Sequence, residues 1–218
     1  MKERYFTPEN ISVTAAEMRA QLGTLVKARP LNSQQAVLLV LDMQQYFLDP
    51  ASHAYIPSAP VILPHLQQLI AAFSQRQRPV IFTQHLNTPE NAGSMARWWR
   101  DLITVENLLS AISPTLDFNA HPVIVKSQYD AFHNTDLENR LRQQNISQLV
   151  IGGVMTHLCC ETTARAAFTR GIEVFFLIDG TATYNASFHR ASLLNLAHGF
   201  AMPVLTPQIL EALNENAA

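Results

Sequence analysis

The stretch QLVIGGVMTHLCCETTARAAFTRGIEVFFLID, residues 148–179, opens and closes on nearly unbroken apolar runs, QLVIGGV (148–154) and EVFFLID (173–179), with a helix-patterned segment at 157–170 between them. Continuous rather than alternating apolar runs are the mark of parallel strands covered on both faces. Similar runs recur at AVLLVLDM (36–43), PVIFTQ (79–84), PVIVK (122–126) and PVLT (203–206), so six strands are expected. Amphipathic segments at 58–76, 105–112, 135–145 and 187–199 lie between the other runs. This β-α alternation predicts an α/β fold, a three-layer α/β/α sandwich around a six-stranded, mainly parallel Rossmann-like sheet.

The 218 residues suit one domain able to bury a sizeable core. Residues 34–218 are expected to form it, and residues 1–33, helix-patterned around 14–28, to form an N-terminal arm packed on it. The formal net charge of −2 gives no basic footprint for nucleic acid, so a small-molecule substrate is the expected partner. No run approaches 18 consecutive apolar residues and MKERYFTPEN has no apolar targeting core, which predicts a soluble, cytoplasmic protein without membrane contact. The two cysteines are sequence neighbours, a poor geometry for a disulfide, and are expected as free thiols in a reducing compartment. The longest stretch without a regular pattern is 85–104, of a length that is often functional.

In open parallel α/β sheets ligands bind outside the carboxyl ends of the strands. Three polar residues stand there: Asp42 after LLVL, Lys126 after VIV, and Cys159 just beyond LVIGGVMTHL. Cys159 is expected in the first turn of the helix that Gly171 closes, where free N–H groups and the helix dipole lower a thiol pKa. Cys160, with Thr163, Ala164 and Ala167, falls on a small-residue stripe facing the core. A thiol, an ammonium that favours its thiolate and a carboxylate that takes and returns the proton are the parts of nucleophilic acyl transfer. The GG at 152–153 is not a dinucleotide fingerprint, and the eight histidines form no HExxH or CxxC pattern, so no metal or organic cofactor is called for.

With these residues placed, the chain resembles the isochorismatase-like cysteine hydrolase superfamily from about residue 34 to 206. LLVLDMQQYF looks like the family's first-strand signature, VIVKSQYDAFHNTDLENRL its lysine segment, and LVIGGVMTHLCCETTARAAFTRG its nucleophile segment. The resemblance implies Asp42, Lys126 and Cys159 as the catalytic triad, a cis peptide at Val154–Met155, and an oxyanion hole made by the backbone N–H groups of Met155 and Cys159. It also implies a homo-oligomer whose neighbouring subunits help close the site. Nicotinamidases in this family bind a metal through Asp-x-His after the second strand; His85 and Asn87 stand there instead, which counts against a nicotinamidase. True isochorismatases share DMQQYF, Gln84 and the run through Lys126, Tyr129 and His133, but carry glycine in place of Cys159, and tyrosine and alanine in place of Met155 and Thr156.

Three functions follow as expectations. The first is a cysteine hydrolase that cleaves a C–N bond of a small amide, carbamoyl or ureido substrate through a thioester on Cys159. The second is a vinyl-ether hydrolase that releases pyruvate with Asp42 as general acid and no covalent intermediate. The third is a non-catalytic binding module. Gln84, Trp98, Trp99, Tyr129, Phe132 and His157 are the expected substrate-binding residues, with Arg97 or Arg100 available to hold a carboxylate.

Overall fold

The computed structural model describes residues 1–215, so the last three residues of the expected 34–218 domain lie outside the described residues. The six strands are β1 (Ala36–Leu41), β2 (Val80–His85), β3 (Val123–Lys126), β4 (Gln148–Val154), β5 (Glu173–Ala182) and β6 (Met202–Val204). They form one sheet in the order β3-β2-β1-β4-β5-β6, and every neighbouring pair is parallel. The apolar runs read in the sequence are these strands. All six residues of β1 and all seven of β4 are buried, as a strand covered on both faces requires. Each large aliphatic side chain so buried contributes about 1.5–3 kcal/mol.

The helices are α1 (Ile11–Gln21), the short α2 (Gln45–Leu48), α3 (Ala59–Gln75), the short α4 (Met95–Trp98), α5 (Leu137–Gln143), α6 (Glu161–Thr169), α7 (Ala186–Gly199) and α8 (Thr206–Glu215). From β1 the chain moves outward through α3 to β2. From β3 it returns through α5 to β4 and then moves to the other side through α6 and α7. Right-handed crossovers in opposite directions put α3 on one face and α5, α6 and α7 on the other, and α8 packs beside α3. The reversal of direction lies between β1 and β4, the place where such sheets open a crevice.

Four local expectations are corrected. Residues 105–112 form no helix beyond a 3₁₀ turn at Leu108–Ser110, because their backbone is taken by long-range bonds: Ala111 O accepts from Gln45 N at 2.9 Å, Ser113 N donates to Met43 O at 2.8 Å, and Gln44 and Ile112 form an antiparallel bridge. The N-terminal helix runs from Ile11 and stops before Gly23, whose φ of +54° leaves the helical region. The expected helix at 157–170 is divided: a π-turn covers Thr156–Cys160 and α6 follows it. The last strand ends at Val204, and α8 begins at Thr206, whose N–H and hydroxyl both donate to the buried Asp179 carboxylate.

The first residues are pinned to distant parts of the chain. Tyr5 N and Phe6 N each donate to Ser58 Oγ at 3.1 Å, Glu3 N donates to Tyr184 O at 2.7 Å, and the Tyr5 hydroxyl meets His189 Nδ1 at 2.8 Å.

One glycine fixes how closely β1 and β4 approach at the switch point. Gly153 pairs with Leu41, has a φ of +114°, and a Cβ added there would lie 2.1 Å from Leu41 O. No side chain fits that gap, and an L residue is strained at that φ. Gly153→Ala is therefore expected to cost about 3 kcal/mol or more. The check is the urea midpoint at an unchanged m-value; an unshifted midpoint contradicts this packing.

Candidate active site

Four adjacent strands deliver the site from their carboxyl ends. Lys126 ends β3 and pairs in register with His85, which ends β2; Asp42 follows the last residue of β1, and β4 leads into the turn that carries Cys159. The Val154–Met155 peptide at the head of that turn is cis. Asp42 has a φ of +51°, a left-handed conformation that aspartate tolerates better than most residues. Its backbone N–H donates to Thr83 Oγ1 at 3.1 Å, and its carbonyl accepts from Gln44 N at 2.7 Å.

Lys126 is the centre of the cluster. Its Nζ lies 2.8 Å from Asp42 Oδ2, 2.9 Å from Gln128 O, and 3.4 Å from both Cys159 Sγ and His85 Nδ1. The Lys126 and Asp42 side chains are wholly buried. Donor atoms of Asp42, His85 and Cys159 lie within 4.8 Å of one another, a spacing that suits a metal ion, but the ammonium stands among all three. This donor set does not fit a metal with Lys126 in place. His85 and Asn87 satisfy each other instead. Asn87 Nδ2 donates to Ser127 O at 2.9 Å, so its Oδ1 takes the His85 Nε2 proton at 2.8 Å, leaving Nδ1 as the lone pair turned to Lys126.

Burial and this cluster set the charges. Burial alone raises the Asp42 pKa, but the Lys126 ammonium outweighs it and holds the carboxyl below its ordinary range. Burial likewise works against the Lys126 ammonium, yet Asp42 and Cys159 raise it to about 12. Burial, then Lys126, keeps His85 neutral. The Cys159 thiol is pushed up to about 12, by burial first and by Asp42, against the pull of Lys126. This corrects the expectation of a thiol acidified by a helix N-terminus: Cys159 lies in the π-turn ahead of α6 and is buried beside a carboxylate. Its proton has an acceptor at hand in Asp42. Cys160 is fully buried in the hydrophobic core with Ala164 and Ala167, as its stripe predicts.

Cys159 and Met155 line a pocket at the carboxyl end of the sheet. Its walls are largely aromatic, with Tyr46, Phe47, Trp99, Tyr129 and Tyr184, and His85 and Asn87 lie beside the triad. His53 and Asp101, 3.4 Å apart, join two loops at this pocket. No lysine or arginine is among the lining residues. Of the expected substrate-binding residues, Trp99 and Tyr129 line the pocket, and Trp99 Nε1 donates to the Tyr129 hydroxyl at 2.7 Å. Thr163 on α6 steadies that segment by bonding Ala131 N and Tyr129 O.

The other expected residues lie outside the lining. Gln84 Nε2 donates to Ser110 O at 2.9 Å, and Trp98 is exposed. Phe132 is buried under the Arg170 guanidinium, and His157 stacks on Phe188 with Nδ1 at 2.6 Å from Thr183 Oγ1. Arg97 is exposed, and Arg100, also exposed, lies 3.7 Å from Asp101. Sequence reasoning did not find the walls contributed by Tyr46, Phe47, Asp101 and Tyr184. Tyr46 and Phe47 come from the short α2 after β1, and Asp101 and Tyr184 from loops.

With this geometry in hand, the chain matches the Isochorismatase domain family over residues 36–208 and belongs to that family of hydrolases. It is 36% identical over 181 residues to Nicotinamidase 3 of Arabidopsis thaliana, a match covering 80% of this chain and 87% of that protein. It is 30% identical over 185 residues to Enterobactin synthase component B of Escherichia coli (strain K12), covering 82% of this chain but only 64% of the relative. A cysteine hydrolase from Pseudomonas syringae pv. phaseolicola 1448A superposes with a TM-score of 0.83 at 24% identity, covering 88% of this chain and 98% of that one.

Breaking the ion pair exposes its energetics. In Lys126→Met the buried Asp42 carboxylate loses its counter-charge, at an expected cost of about 3–5 kcal/mol at pH 7. In the wild type the depressed Asp42 pKa adds stability above its ordinary value, lost as pH falls through the folded value, and the raised Lys126 pKa adds stability that is lost as pH climbs towards about 12. The variant's unpaired carboxyl protonates at higher pH, so its deficit should shrink on acidification. Urea unfolding from pH 7 down to 4 checks this; a deficit constant with pH contradicts it.

Proposed function

We propose that this chain is a cysteine amidohydrolase that cleaves the C–N bond of a small, uncharged amide, carbamoyl or ureido substrate with a flat apolar acyl group. The observation that carries this reading is that Cys159, which lines an aromatic-walled pocket with no lysine or arginine in its lining, meets the buried Lys126–Asp42 pair.

The chemistry runs as acyl transfer. Asp42 accepts the Cys159 proton as sulfur attacks the carbonyl carbon, and Lys126 steadies the thiolate. The oxygen of the tetrahedral intermediate is held by the N–H groups of Met155 and Cys159, donors of a kind whose loss costs about 10²–10³ in rate. Collapse breaks the C–N bond, and Asp42 gives its proton to the departing nitrogen. Water, deprotonated by Asp42, then attacks the thioester; the carboxylic acid leaves and the thiol is regenerated. A thiol of high pKa beside a base suits this order, since the proton moves only as the nucleophile commits.

The lining also bears on the vinyl-ether reading. A dicarboxylate substrate needs cationic donors, and the two arginines available for that role stand outside the pocket. The name of the Arabidopsis relative points to aromatic carboxamides, which match flat aromatic walls.

Ammonia release from nicotinamide, benzamide and small ureides, alongside pyruvate release from isochorismate, tests the proposal. The expected result is ammonia from at least one neutral amide, loss of about 10⁴-fold or more in Cys159→Ala with the fold intact, and no pyruvate. Pyruvate release by both proteins contradicts it.

A further inference from the structure

We propose that Thr83 is a positioning residue that grips Asp42 at both ends, fixing the carboxylate so that Oδ2 is turned to the catalytic proton. The inference rests on the reading of Asp42 as the proton acceptor of Cys159.

Thr83 lies in the middle of β2, fully buried, and is not among the residues lining the pocket. It therefore reaches the reaction only through Asp42. Its hydroxyl makes two bonds to that residue: Oγ1 accepts the Asp42 backbone N–H at 3.1 Å and donates its own proton to Asp42 Oδ1 at 2.5 Å. The first bond holds the backbone where Asp42 takes its left-handed φ of +51°. The second is a short hydrogen bond to a charged acceptor, the stronger kind. A hydroxyl has one proton, and with Oδ1 receiving it the donor direction is settled.

The consequence is an asymmetric carboxylate. Oδ1 receives the Thr83 proton on one of its lone pairs. Oδ2 pairs with the Lys126 ammonium at 2.8 Å but is otherwise without a hydrogen-bond partner among the described residues. In the proposed reaction Oδ2 takes the Cys159 proton and later gives it to the leaving nitrogen. A fixed donor on Oδ1 also favours the ionised form, so Asp42 stays ready as a base in acid. The charged and titratable groups facing Asp42 are Lys126 from β3, His85 from β2 and Cys159 from the turn after β4. All three remain when only the Thr83 hydroxyl is removed.

The test pairs Thr83→Val, which keeps the shape and loses the hydroxyl, with Thr83→Ser, which keeps the hydroxyl. Carboxyl-carbon NMR of protein labelled at aspartate, with Asp42→Asn to assign the signal, reads Asp42 titration without any substrate. Thr83→Val should raise it by about one to two pH units, as loss of a hydrogen bond to a charged group implies. Thr83→Ser should leave it near the wild-type value. On a neutral amide, the acid limb of the kcat/KM profile should move up by the same amount in Thr83→Val, with kcat falling at least about tenfold and KM little changed. A residue that merely packed the core would lower stability without moving either titration. An Asp42 titration unmoved in Thr83→Val overturns the proposal. If Thr83→Val does not fold, Thr83→Ala takes its place: the same upward shift is expected, and an unmoved titration again overturns the proposal. Should the NMR shift occur in a protein that turns over no amide, the grip on Asp42 stands and the amidohydrolase reading is what falls.

Discussion

The Asp42–Lys126 ion pair, with both side chains at 0% exposure, is the constraint to which the rest of the structure answers. Two charges taken out of water cost several kcal/mol each, and only close contact with further polar partners offsets that cost. The fold supplies those partners from four strands. Thr83 bonds the carboxylate, and Gln128 O, His85 Nδ1 and Cys159 Sγ surround the ammonium. Such convergence is available at the carboxyl ends of neighbouring parallel strands, and the close approach of β1 and β4 at Gly153 brings Asp42 beside the nucleophile turn. A pair bound this way makes weak evidence for added stability. In the proposed reaction its value is a carboxylate and an ammonium held apart from water beside a thiol.

Much of this was legible in the sequence, for identifiable reasons. Strands covered on both faces must be apolar throughout, so β1 and β4 announced themselves as LLVL and LVIGGV. Strand ends are where parallel sheets bind ligands, so the polar residues that close those runs were the ones to gather, and the structure brings Asp42, Lys126 and Cys159 together. Local pattern failed where distant backbone decided the outcome. Residues 105–112 read as amphipathic helix, but Met43, Gln44 and Gln45 claim their backbone as a partner. The acidity of Cys159 was misjudged for the same kind of reason: a helix terminus is local and visible, whereas burial beside Asp42 is neither. Thr83 was invisible because a threonine inside VIFTQ reads simply as a good strand former. The pocket walls came from the short α2 and from loops, whose length the sequence shows but whose fold it does not.

The pocket separates two chemistries that share this family's scaffold. A thiol in the lining, with a carboxylate and an ammonium buried beside it, offers groups usable in either covalent or general-acid catalysis, so in the proposed function the walls carry the distinction. Here they are aromatic, with polar groups limited to hydroxyls, His53, His85, Asn87 and one carboxylate, Asp101. On the proposed reading a neutral, flat substrate loses little solvation in such a site, while a dianion would meet no lysine or arginine in the lining.

The most direct test of the covalent mechanism is mass spectrometry of enzyme quenched in acid during turnover of a slowly hydrolysed amide or its activated ester. A thioester on Cys159 predicts a mass increase equal to the acyl group on the peptide bearing that residue, absent from Cys159→Ala. Turnover with no adduct, or with the acyl group on another residue, contradicts it.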